Sequence, residues 1–94
     1  MDLRALARVR GAMLLVDSLG YDEIRSRLDA ETAAGRPWRL MARETLGVSA
    51  YKAGKIEEAE RAFEAILADP EATQVVRQRA EMMMALGRSG GTKK

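Results

Sequence analysis

The chain has 94 residues, 47% of them hydrophobic, and sixteen basic residues face fourteen acidic ones for a net charge of +2. That length holds one domain, and that composition is globular and not disordered. With no cysteine and no histidine, disulfides, thiolate nucleophiles, the usual zinc sites and an imidazole base are excluded.

Only Tyr21, Trp38, Tyr51 and Phe63 are aromatic. Alanine, leucine and arginine dominate, residues that lose little rotamer freedom in a helix. No segment alternates apolar and polar residues over a strand's length. The apolar spacing instead predicts five helices. The first covers about residues 3–18, with Leu3, Leu6, Ala7, Met13 and Leu14 along one stripe and Gly20 expected as a left-handed cap. The second covers about 21–34, with Tyr21, Ile24 and Leu28 inward and Asp22 and Glu23 at the positive end of its dipole.

Gly35-Arg36-Pro37 breaks the pattern, and Pro37 suits the first position of a third helix reaching about residue 53. Trp38, Met41, Ala42, Leu46 and Ala50 should face inward, and Gly54 should close it. The fourth helix covers about 56–68, with Ile56, Ala59, Phe63, Ile66 and Leu67 as its apolar stripe. Asp69-Pro70-Glu71 has the order of an N-cap and first turn, predicting a fifth helix that reaches about residue 86. It should bury some of Val75, Val76, Met82, Met83 and Leu86. The domain therefore spans 1–87, and 88–94 is expected to be a disordered basic tail.

Helices three and four carry a motif. Leu46-Gly47, Gly54, Ala59, Phe63 and Pro70 resemble the tetratricopeptide-repeat (TPR) signature, whose Leu-Gly, Ala and Phe positions match in spacing. Its Trp position holds Arg43 and its Tyr position Ala50, while Pro70 falls one residue early. A glycine inside a helix costs about 1 kcal/mol against alanine, so Gly47 needs a reason. Close approach of the next helix at Ala59 is the expected one, with Phe63 filling the space beyond. A shift of 35 residues places Ala12 on Gly47, Ile24 on Ala59 and Leu28 on Phe63. The expected fold is all-α: TPR-like antiparallel hairpins, about two repeats plus a carboxy-terminal capping helix.

Three stretches also resemble the carboxy-terminal part of a narrower family, the alphaproteobacterial membrane-anchored TPR proteins associated with the Sec translocon. They are Ala12-Met13-Leu14-Leu15-Val16-Asp17 with Tyr21-Asp22-Glu23; Pro37-Trp38-Arg39 through Ala42-Arg43-Glu44 to Leu46-Gly47; and Phe63-Glu64-Ala65-Ile66 through Arg77-Gln78-Arg79-Ala80. The resemblance implies an anchor upstream, a periplasmic location at the inner membrane, a scaffold or adaptor role, and no catalytic residues.

A TPR-like hairpin turns one face of its first helix to the inside of the array. The register predicts a partner-binding inner face of Leu6, Val9, Arg10, Met13, Val16 and Asp17, continued by Met41, Glu44, Thr45, Val48, Tyr51 and Lys52. This face is mostly apolar and contains no asparagine, which favours an apolar segment or a partner helix over a peptide carboxylate. Met82-Met83-Met84 cannot all be buried on one helix, so one should be left as a soft apolar spot. The pairs Asp22-Glu23 and Glu57-Glu58 stand at helix starts, where the dipole accounts for them without catalysis. The expected function is a non-catalytic protein–protein interaction module with no cofactor, metal or nucleic-acid partner. Homodimerisation without a foreign ligand is the alternative. The first helix is apolar over more than half its circumference. That predicts a further hairpin before residue 1 and an exposed apolar patch on this chain.

Overall fold

The computed structural model describes residues 3–92, which fold into five α-helices without strands. These are α1 (Leu3–Leu15), α2 (Tyr21–Leu28), α3 (Arg39–Lys52), α4 (Ile56–Leu67) and α5 (Gln74–Thr92). A short 3₁₀ turn, Asp29–Thr32, follows α2. Consecutive helices pack against one another, and α3 additionally meets both α1 and α5. The body is elongated. The principal extents are 44 × 29 × 17 Å.

The core runs continuously from end to end. Val9, Ala12, Ile24, Leu28 and Ala42 fill the amino-terminal part, with Trp38, Met41 and Leu46 packed against them. Tyr21, Ala50 and Ala59 form the middle. Phe63, Ile66, Ala72, Ala80 and Met84 form the carboxy-terminal part, covered in part by Val48, Tyr51 and Met83. Burying each large apolar side chain is worth about 1.5–3 kcal/mol, so most of the cohesion comes from these clusters.

Gly47 is buried, and a Cβ there would lie 2.5–2.9 Å from ring carbons of Phe63. The close approach expected at Ala59 is thus made by the Phe63 ring instead. Ala59 packs one turn away with Tyr21 and Ala50. The ring is fully buried and stacks on Tyr51 at 5.7 Å between centroids. Gly54 ends α3 with φ +77°, where a side chain would be strained.

Several boundaries differ from the sequence expectation. Gly20 is extended (φ −71°, ψ 168°) and stands at the amino-terminal cap of α2, not as a left-handed cap of α1. Pro37 lies in the turn before α3. Helix α5 begins five residues after Asp69, and the Val76 N–H donates to Thr73 Oγ1 at 3.2 Å in place of the expected Asp69 cap. At its other end, α5 continues to Thr92 through the segment expected to be disordered. Two contacts hold the start of this extension. Gly87 lies against the Tyr51 ring so closely that no Cβ would fit. The Arg88 Nε–H donates to Glu60 Oε2 at 2.7 Å. Lys93 and Lys94 lie outside the described residues.

Candidate functional site

The expected inner face divides into a covered half and an open half. On α3, Thr45 is buried and its hydroxyl donates to the Met41 carbonyl at 2.9 Å. Met41, Val48 and Tyr51 are half-buried and pack on the core clusters. Arg79 of α5 donates to Glu44 Oε2 at 2.9 Å. Lys52 Nζ pairs with Asp17 Oδ1 at 2.6 Å, tying the end of α3 to the loop after α1. The α3 part of the predicted partner surface is therefore engaged within the chain. The physical reason is that neighbours on several sides use this face: Asp17 takes Lys52, the amino-terminal cluster takes Met41, Phe63 takes Tyr51 and Arg79 of α5 takes Glu44.

On α1, the buried side is Ala5, Val9 and Ala12. Val9 is 0% exposed and cannot touch a partner. The stripe expected to face the core from Leu3 through Ala7 to Leu14 points outward instead. Small residues let α1 pack tightly, and the larger ones are left outside. Leu14 is 85% exposed, Leu3 66% and Met13 39%. Ala7 and Arg10 are exposed, and Leu6 and Val16 half-buried. Leu3, Met13, Leu14 and Leu15 are the exposed large apolar side chains of this helix, and Leu3 stands eleven residues from Leu14 with exposed Ala7 and Arg10 between them.

Within Leu3–Leu15 there are three arginines and no acidic residue. Arg8 Nη1 donates to Glu31 Oε2 at 2.7 Å, while Arg10 extends from the open side. Gly11 sits in mid-helix on this side, and a Cβ there would meet nothing within 4 Å outside its own turn. Gly47 and Gly87 are small because an aromatic ring occupies the space. Gly11 has no such neighbour inside the protomer.

A charged cluster lies where the 3₁₀ turn, α3 and the residues after α4 meet. Asp69 is 6% exposed and accepts from Arg39 Nε at 2.6 Å, Arg39 Nη2 at 2.9 Å and Arg43 Nη1 at 3.0 Å. The Glu71 N–H also donates to it at 2.9 Å. These donors, Arg39 foremost, hold its carboxyl well below the usual carboxylate range. Arg43 further donates to the carbonyls of Thr32 and Ala65. The cluster thereby joins the 3₁₀ turn, α3 and the end of α4. Sequence reading missed it because the three residues are 26 and 30 positions apart in their pairs.

Between α2 and α4 lies an open groove of about 520 Å³, with Leu46 and Ala62 among its lining residues. Its flanking charges pair loosely along their own helices, Arg25 with Asp29 at 3.9 Å and Arg61 with Glu57 at 4.0 Å. Desolvation raises the Tyr21 phenol above its ordinary value. Asp22-Glu23 and Glu57-Glu58 occupy the first turns of α2 and α4, as expected. Among the described residues no group of acidic side chains is placed to hold a metal, and no helix is long and apolar enough to cross a membrane.

No protein-family model, curated protein or solved structure matches the chain.

Proposed function

We propose that this chain is a non-catalytic, TPR-like protein-interaction domain that docks partners on the outer face of α1. The observation that carries the reading is the exposed row of Leu3, Met13 and Leu14 on a helix whose opposite side is fully committed to the core. Large exposed apolar side chains gathered on one helix face mark an interface more often than scattered ones do. A partner helix laid along such a face would meet Leu3 near one end of α1 and Met13 with Leu14 near the other.

The repeat reading has support of its own. Helices α2 and α4 begin 35 residues apart, at Tyr21 and Ile56. At that offset Ala12 and Gly47, Ile24 and Ala59, and Leu28 and Phe63 are buried in pairs. The sequence resemblance implies, for the intact protein, a periplasmic position at the inner membrane and a scaffold or translocon-associated adaptor role. Affinity capture with the wild-type chain and with Leu14→Arg tests the proposal. Leu14 is so exposed that the variant should keep its melting temperature and lose its partners. Retention of the same partners by a folded Leu14→Arg chain would remove α1 from the account.

A further inference from the structure

We infer that the last turns of α5, from Gly87 onward, are a releasable strap that covers a binding surface at Tyr51. The strap opens without unfolding the rest of the domain, and the surface it uncovers takes a cationic segment in place of its own Arg88. This is independent of the docking role given to α1. The first ground is anchorage. Helix α5 is fixed to the core through Ala80 and Met84. From residue 85 to residue 89 nothing is fully buried, and Leu86 is 62% exposed. The second ground is helix propensity. Three of the last six residues of α5 are glycines: Gly87, Gly90 and Gly91. Each lowers the helix population about four- to fivefold against alanine, and together they lower it roughly a hundredfold. The ion pair of Arg88 with Glu60 is partly exposed, and such a pair returns about fivefold at best.

The third ground is what lies beneath. Gly87 rests on the phenol end of the Tyr51 ring, against Cε1, Cζ and Cε2. Phe63 stacks on the same ring. The Tyr51 hydroxyl is buried without a hydrogen-bond partner among the described residues. That disfavours the closed state, because opening returns the hydroxyl to water. Glu60 holds Arg88 directly, and the exposed Glu64, one turn along α4, also acts on Arg88 through its charge. The surface under the strap is therefore aromatic and acidic. Charge complementarity selects a cation beside a small residue, which is the chemistry of Gly87-Arg88 itself.

Tetranitromethane nitrates tyrosine at its Cε positions, the atoms against which Gly87 lies. Nitration of the folded chain, mapped by mass spectrometry, therefore reads the open state at Tyr51. Tyr21, in the middle of the core, reads global unfolding in the same sample. The double variant Gly90→Ala/Gly91→Ala favours the closed helix and should slow nitration of Tyr51 by roughly tenfold. Arg88→Glu should speed it about fivefold, although the added negative charge by itself would slow the reaction by disfavouring the phenolate. Tyr21 should be unaffected in both. In the Arg88→Glu chain, a peptide of residues 85–94 at about 5 mM, the order of a short tether's effective concentration, should protect Tyr51. The same peptide carrying Arg88→Glu should not. Equal nitration of Tyr51 in all three chains, none in any, or nitration only in step with Tyr21 overturns the strap. Equal protection by the two peptides, or by neither, overturns the cationic occupant.

Discussion

Gly47→Ala and Gly11→Ala are the same substitution in two helices, and the structure gives them opposite signs. At Gly47 the new methyl would lie as close as 2.5 Å to the Phe63 ring. That is about 1 Å inside an ordinary carbon–carbon contact, which places the overlap near the upper end of the roughly 1–3 kcal/mol that overpacking costs. The ring has no free side to retreat to, being fully buried and stacked on Tyr51. The gain in helix propensity returns about 1 kcal/mol. The net loss is then about 2 kcal/mol, or a fall of roughly 8–16 °C in melting temperature for a domain of this size. At Gly11 nothing lies within 4 Å, so only the propensity gain operates. The expected rise is about 4–8 °C. Thermal denaturation followed by circular dichroism reads both. If Gly47→Ala melts at or above its parent, the Phe63 ring is not the reason for that glycine and the packing of α3 on α4 is misread.

Three further outcomes follow from the packing and the charged cluster. Phe63→Ala removes the ring from the carboxy-terminal core and should cost about 3–5 kcal/mol by chemical denaturation, much of the total for so small a domain. Gly87→Ala should drive Tyr51 off its stack and lower the melting temperature, by less than Gly47→Ala because Tyr51 is only half-buried. Asp69 has a folded-state pKa below its unfolded one, so its contribution is present above the unfolded value and lost as pH falls through the folded one. The unfolded value is about 3.9. Wild-type stability should therefore drop from about pH 5 downward, and the difference between wild type and Asp69→Asn should shrink over that window. A difference that stays constant with pH would show that the Arg39–Asp69–Arg43 contacts contribute nothing through charge.

The sequence pattern specified the helices better than it specified their faces. Tyr21, Ile24 and Leu28 are all buried, as their three- and four-residue spacing requires. The strongly amphipathic α4 likewise buries Ala59, Phe63 and Ile66. Helix α1 misled because hydrophobicity pointed one way and size the other. Its core side is Ala5, Val9 and Ala12, while its leucines lie outside. Tight packing selects small side chains, and hydropathy alone does not register that. The same ambiguity affected Met82-Met83-Met84: Met84 is buried, Met83 half-buried and Met82 exposed, so one soft apolar spot does remain. Gly87 read as a helix stop because nothing local reveals the Tyr51 ring 36 positions earlier that occupies its side-chain space. The Arg39–Asp69–Arg43 clamp was invisible for the same reason, since charged residues far apart in sequence give no periodic signal.

The claim that α1 is where this protein meets others can be tested at one atom's reach. A photo-activatable side chain is placed at position 14 in the native protein within its own cells, with position 23 on exposed α2 as the reference site. The account predicts covalent protein adducts at position 14 and none above background at position 23. Equal labelling at the two positions, or no adduct at position 14 in folded protein, would contradict it.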